Sequence, residues 1–236
     1  MIDVFRESCK TCGYTLRLLA MGEKWQGFAW RWEVLLRALK DLSADCVVLV
    51  TDAFDSCVVA DSVELLRRFK EFESPIVFSC EPSRTNFMPW AAYYRWRVFG
   101  VDPIVNGGTY MGYAGDLREF IARLKYNPDT DDQRLLTSLH RYIRMTVDVE
   151  SRLFYHQCGG MRSVEIPDTC VVTFPASGYT TTTLKQLGYE LPSQDPHNHD
   201  CGMFVRRATH YGPFFWREIV TVFVMVCIGI YVYVCR

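Results

Sequence analysis

The sequence predicts an α/β fold, with a mostly parallel sheet covered by helices. Strand-like and helix-like segments alternate as far as about residue 190, the pattern that gives such layers. One buried apolar segment, Cys46–Val50, runs directly into Asp52 and Asp55. At the other end, Ile219 to Cys235 carries no charged side chain, which sets that stretch apart from the α/β portion.

The elements follow from local pattern. Thr15 to Leu19 reads as a strand. Trp32 to Leu42 has helical periodicity, with Val34, Leu35, Ala38, Leu39 and Leu42 on one face. Cys46 to Val50 is a buried strand, and Asp61 is placed to cap a helix through Val63, Leu65, Leu66 and Phe69. Pro75 to Ser79 is the next strand. Pro89 to Trp96 is rich in aromatic residues, and Asn106-Gly107-Gly108 reads as a tight turn bringing backbone close to a cleft. Asp116 opens an amphipathic helix to Leu124. Asn127 to Asp132 is an acidic turn before a helix over Gln133 to Tyr142. Short strands are expected around Thr146–Asp148, Arg152–Tyr155 and Cys170–Phe174. These divisions predict an α/β domain over residues 1–192, a polar linker over 193–213 and an anchor over 214–236.

The chain has 236 residues, 49% hydrophobic and 22% charged, with a net charge of −1. That length suits one domain with a substantial core. The charge balance gives no electrostatic case for a nucleic-acid partner. Of the 10 cysteines, Cys9 and Cys12 alone have the Cys-x-x-Cys spacing, and no second pair lies at zinc-ribbon distance. Most are read as small buried apolar residues.

Asp52 and Asp55 carry the chemical signal. Carboxylates are hard oxygen ligands, and a Mg²⁺ or Mn²⁺ site often needs one or two of them plus substrate phosphates. In parallel α/β sheets, ligands bind beyond the strand carboxyl ends, where both residues are expected. Read alone, Asp-x-x-Asp also describes a solvated turn. Likewise, Asp129 to Asp132 fits a helix N-terminus, where acidic side chains are favoured.

Several further motifs stand in order along the chain: Gly22-Glu23-Lys24-Trp25-Gln26-Gly27, Val77-Phe78-Ser79-Cys80-Glu81, Val105 to Tyr113, Asp131-Asp132-Gln133, and Val147 to Phe154. Together with Asp52 and Asp55 they resemble the glycosyltransferase domain of the procollagen lysyl hydroxylases, a GT-A, Rossmann-like family of collagen hydroxylysine glycosyltransferases. The resemblance covers roughly residues 5 to 190. It implies a UDP-sugar donor, UDP-glucose or UDP-galactose, and Mn²⁺ held by Asp52 and Asp55. It places Phe54 against the uracil, Asn106, Gly107 and Gly108 near the sugar, and Asp131 and Asp132 near the acceptor and anomeric carbon as the catalytic carboxylates. The implied acceptor is a hydroxyl group such as that of a hydroxylysine in a collagen-like protein.

The sequence departs from the family pattern in three places. The family's first apolar strand has no counterpart, so the domain reads as N-terminally truncated and opens on the following helix. Pro175 stands near the position of a family metal-binding histidine, with His197 and His199 farther along. Glu33 replaces a family lysine and would repel phosphate. These departures support an alternative, a catalytically degenerate, membrane-anchored relative that binds a glycan or protein partner.

As a helix, Ile219 to Cys235 would extend about 26 Å at ~1.5 Å per residue, close to a hydrocarbon core of ~30 Å. Phe214, Phe215 and Trp216 supply an interfacial aromatic belt. The competing reading is a buried strand, since Val, Ile and Tyr favour strands, but the run is long for one. Met1 to Glu7 is too polar for a signal peptide. Arg206, Arg207 and Arg217 precede the anchor, whereas Arg236 alone follows it. That asymmetry predicts a cytosolic catalytic domain, or a luminal one if an upstream signal sequence exists.

Overall fold

A computed structural model describes residues 1–81, 105–127, 130–139, 144–157, 166–174 and 180–190. The elements in chain order are α1 (Ile2–Thr11), α2 (Trp30–Leu39), β1 (Val47–Thr51), β2 (Ser56–Val58), α3 (Ser62–Glu71), β3 (Ile76–Cys80), β4 (Val105–Tyr113), α4 (Ala114–Arg123), α5 (Asp132–Leu139), β5 (Thr146–Asp148), β6 (Phe154–His156), β7 (Val171–Thr173) and α6 (Thr180–Gln186).

Four strands form the central sheet in the order β1-β4-β3-β5. β3 and β5 are parallel, but β4 runs antiparallel to both β1 and β3. The sheet is therefore mixed. Asn106-Gly107-Gly108 is not a tight turn but the start of the reversed strand β4. Reversal brings the N-terminal end of β4 beside the carboxyl end of β1, with Thr51 opposite Thr109. Three strands, β2-β7-β6, make a second small sheet. Thr15 to Leu19 forms no strand.

The core lies on both faces of the central sheet, as the period-2 alternation of strand side chains requires. On β3, Ile76 and Phe78 face one way and Val77 the other; on β4, Tyr110 and Met111 divide likewise. One face packs α2, α4 and α5 through Trp32, Leu35, Leu39, Leu117, Phe120, Ile121 and Leu136. The opposite face packs α1, α3 and the small sheet through Phe5, Cys9, Leu65, Phe69, Phe154 and Val171. Cys9, Cys57 and Cys170 are buried and unbridged, matching the expectation of small apolar cysteines. Asp61 caps α3 by accepting from the backbone amides of Val63 at 2.9 Å and Glu64 at 2.8 Å, which satisfies two of the helix's otherwise unpaired donors.

Between Phe78 and Ser79 the pairing of β3 with β4 jumps, so that Phe78 faces Tyr110 and Ser79 faces Asn106. Residues between these partners bulge out of the β3 ladder, as extra strand residues do at functional edges. The Ser79 hydroxyl ties the bulge down, donating to the carbonyl of Thr109 at 2.6 Å.

Among the described residues, no helix is long and apolar enough to cross a membrane. The linker at 193–213, the anchor at 214–236, Pro89 to Trp96, Pro175, His197 and His199 lie outside the described residues.

Candidate active site

The reversed β4 and the carboxyl end of β1 form one edge, and the site is built on it. The backbone amide of Asp52 donates to the carbonyl of Gly108 at 3.1 Å, fixing the turn after β1 against β4. Asp132 arrives from the first position of α5 and is 4% exposed. Its Oδ1 accepts from the backbone amide of Gln133 at 2.8 Å, an acidic contact at a helix N-terminus. The family-implied pair is thus divided: Asp132 is buried in the site, while Asp131 is exposed and lends its carbonyl to the amide of Leu135.

The two glycines are required by this crowding. A Cβ on Gly107 would lie 2.8 Å from Asp132 Oδ2, and one on Gly108 would lie 2.8 Å from Asp52 Oδ2. Both carboxylates therefore pack directly on backbone. Asn106 is clamped on both sides of its amide. Its Oδ1 accepts from the Gly108 amide at 2.7 Å, and its Nδ2 donates to Glu81 Oε2 at 2.7 Å.

Arg31, on the first turn of α2, joins the two carboxylates. Its Nη1 donates to Asp52 Oδ1 at 2.7 Å, and its Nη2 donates to Asp132 Oδ2 and, at 3.3 Å, to the carbonyl of Gly107. Burial alone would lower the Arg31 pKa, but the charges of Asp52 and Asp132 and the hydrogen bond to Asp132 more than reverse this, so it stays cationic.

The sequence reading missed Arg31. The signal was a lone basic residue between Trp30 and Trp32 just after the Gly27 turn. Glu33, expected to repel phosphate, is exposed two positions further along the helix and acts on Tyr126 instead. Residues two apart do not share a helix face, so Arg31 rather than Glu33 sets the charge that α2 brings to the site.

Asp55 has no such partner. Its Oδ1 is buried without a hydrogen bond, and its carbonyl accepts from the amide of Phe174 at 2.7 Å, anchoring the turn to the end of β7. Burial, with the nearby Asp52 charge, pushes its pKa up to about 7 against the opposing pull of Arg31. Asp52 is shifted upward too, first by burial and then by Asp132, again against Arg31. Half its side chain meets solvent, which weakens the burial argument there, so Asp55 carries more weight.

An orphaned buried carboxylate oxygen beside a second carboxylate fits a divalent cation, which supplies the missing partner. Among the described residues, no three His, Cys, Asp or Glu side chains converge as a metal shell. Asp52 and Asp55 would thus be a partial donor set of the kind that substrate phosphates and water complete.

Exposed aromatic rings lie on the segments that carry these residues. Phe54 is 55% exposed between the two aspartates, and Trp25 and Phe28 are exposed to similar degrees. Trp25 meets Phe28 edge-on at 5.4 Å, and the Arg31 guanidinium lies 5.8 Å from the Phe28 ring centre.

Comparison with known proteins accords with the motif order. The chain is 24% identical over 230 residues to the multifunctional procollagen lysine hydroxylase and glycosyltransferase LH3 of Rattus norvegicus, covering 84% of this chain and 30% of the relative. It is 30% identical over 179 residues to the multifunctional procollagen lysine hydroxylase and glycosyltransferase of Caenorhabditis elegans, covering 68% and 24%. The chain thus spans less than a third of the length of these relatives. Among solved structures, the galactosyltransferase LgtC in complex with donor and acceptor sugar analogues aligns with a TM-score of 0.38 and 15% identity, over 79% of this chain and 75% of that one. The family described as the PLOD GT domain matches residues 2–173. With most of the chain inside that match, it belongs to the PLOD GT domain family of glycosyltransferase domains.

Proposed function

We propose that this domain transfers a hexose, glucose or galactose, from a UDP-sugar to a hydroxyl acceptor of the hydroxylysine type in a collagen-like protein. The observation that carries this reading is the buried, unpartnered oxygen of Asp55 beside Asp52, with Asp132 across the same strand edge. Membership of the PLOD GT domain family supports the reaction class, and the mixed sheet suits a GT-A arrangement.

In this reading Asp52 and Asp55 hold Mn²⁺ against the donor diphosphate. Bound there, the metal supplies Lewis-acid stabilisation of the departing UDP. Phe54 offers its exposed ring to the uracil face. Asn106 is fixed by Gly108 and Glu81 in one orientation, which suits it to orient a sugar hydroxyl without reorganisation. Gly107 and Gly108 let the sugar approach the strand. Asp132 is the carboxylate that orients the acceptor hydroxyl or opposes positive charge at the anomeric carbon, by analogy with glycoside hydrolysis. Asp131, exposed one position before it, is assigned with it to the acceptor side.

The test is transfer and hydrolysis of UDP-glucose and UDP-galactose with and without Mn²⁺, paired with calorimetry of UDP binding. Metal-dependent turnover, and loss of Mn²⁺-dependent UDP affinity in Asp55→Ala, support the reading. Equal affinity in wild type and Asp55→Ala with Mn²⁺ present refutes the metal assignment. Donor binding without turnover favours the non-catalytic, ligand-binding alternative.

We also assign residues 214–236 to a membrane anchor, from their uncharged apolar run. Retention of the full chain, but not of residues 1–213, in carbonate-washed membranes supports this; equal release of both opposes it.

A further inference from the structure

We propose that Arg31 is a built-in counter-ion that occupies the acidic edge until donor binds, and that it makes metal and nucleotide binding mutually dependent. This rests on the reading of Asp52 and Asp55 as metal ligands and extends it to a residue outside the quoted motifs.

Three observations carry it. First, the guanidinium is shared: one nitrogen serves Asp52, and the other serves Asp132 and the Gly107 carbonyl. Asp52 therefore spends its Oδ1 on Arg31, although the same carboxylate is half of the metal pair. Second, Asp55, the other half, lies beyond the reach of those bonds and keeps a buried oxygen unpaired. The site is thus divided into a neutralised carboxylate and an unsatisfied one. Third, Arg31 keeps 24% of its side chain exposed on its outer side. It starts from the first turn of α2 and stacks on Phe28, whose ring is itself exposed.

The electrostatics follow from charge alone. A divalent cation entering beside Asp52 meets a fixed positive charge on the same carboxylate, so metal by itself is opposed. A diphosphate brings several negative charges and the planar, bidentate acceptor geometry that guanidinium groups favour. When it arrives, Arg31 can turn from Asp52 to the phosphates and retain a partner throughout. Asp52 is then freed for the metal, which gains both aspartates and the phosphate oxygens. Metal and nucleotide thereby raise each other's affinity by the same factor, as linkage demands. Arg31 is a positioning residue in this account. Its hold on Asp132 also keeps that carboxylate in place while the site waits.

The test is direct Mn²⁺ binding, followed by calorimetry and by the electron paramagnetic resonance signal of free Mn²⁺, with and without UDP. The proteins are wild type, Arg31→Gln and Arg31→Lys. Thermal unfolding in the absence of metal shows that each variant is folded. For wild type the expectation is weak Mn²⁺ binding alone and binding at least ~10-fold tighter with UDP, within the usual range of coupling between sites. Arg31→Gln should bind Mn²⁺ alone more tightly than wild type, by about 5-fold or more, and should show a smaller UDP dependence, keeping the part that comes from direct contact between metal and phosphate. Arg31→Lys, still charged but unable to span both carboxylates, should fall between them. A residue that merely supports the fold would shift Mn²⁺ affinity the other way on removal. Unchanged or weaker Mn²⁺ affinity in folded Arg31→Gln, with normal coupling in wild type, overturns the role of Arg31 and leaves the metal pair standing. No Mn²⁺ binding to wild type, even with UDP, removes the metal pair and this proposal together.

Discussion

Gly107 and Asp132 touch across the strand edge so closely that a Cβ on the glycine would sit 2.8 Å from the carboxylate oxygen. The obstacle is a side chain held by Arg31 and by the start of α5, so it cannot swing aside freely. Gly107→Ala should therefore displace Asp132 and reduce transfer by ~10-fold or more, since small misplacements of reacting groups are costly. Stability should fall by only about 1 kcal/mol. Steady-state kinetics beside thermal unfolding checks both; unchanged transfer would show that the carboxylate's position is not critical.

Asp132→Asn should lower transfer much more than it lowers UDP affinity, because its proposed partners are the acceptor and the transition state rather than the nucleotide. The amide can still accept from the Gln133 amide at the helix start. Turnover equal to wild type would return Asp132 to the role of a helix-start carboxylate.

Asp55 makes the metal-free protein sensitive to pH. Its pKa is raised to about 7 in the fold, so between the ordinary carboxylate range and pH 7 the folded chain binds more protons than the unfolded one. Stability from this group is therefore greatest at low pH and is lost as pH rises through 7. Asp55→Asn, which cannot ionise, should stabilise the metal-free protein relative to wild type at pH 8, by on the order of 2 kcal/mol. At pH 5, where only part of this stability has been lost, the gain should be smaller. Thermal unfolding of both proteins in chelator at the two pH values measures this, and a pH-independent difference would contradict it.

Asp148 is buried, and its carboxylate accepts three backbone amides, from Arg152 at 2.9 Å, Leu153 at 2.7 Å and Phe154 at 2.9 Å. It holds the connection from β5 to β6 shut. Asp148→Ala should cost ~3 kcal/mol, because it strands those donors away from water. UDP affinity of the remaining folded fraction should be nearly unchanged. A loss below 1 kcal/mol in denaturant unfolding would show that water replaces the carboxylate.

Much of the fold is legible in local pattern. The apolar run before Asp52, the Asp61 cap and the short strand Thr146–Asp148 lie where periodicity and capping chemistry put them. The reversal of β4 was not legible, because strand direction depends on chain routing through residues far apart, and a glycine pair looks alike in a turn and at a strand start. Ser56–Val58 escaped notice since so short a run has no periodicity to read, and its burial is conferred by β7. Thr15 to Leu19 had strand-like composition but no strand to pair with. At the candidate site, Asp52 and Asp55 could be found by their place after an apolar run, although that run forms the half-buried edge strand β1 rather than the buried strand expected. Arg31 could not, because its importance comes from carboxylates on other elements.

The ion pair from Arg31 to Asp132 spans 101 positions of the chain. Closing so long a loop carries an entropic cost before its contacts reward it. A partly folded chain that has made α2 and β1 still lacks the carboxylate from α5. No local fragment can therefore imitate the assembled edge, and any nucleotide that recognises it binds the completed fold alone. A nucleotide donor bound there would act as a folding ligand, drawing the chain toward its native state by mass action. A cell compartment rich in the donor would hold more of this domain intact than one depleted of it, whatever the rate of catalysis.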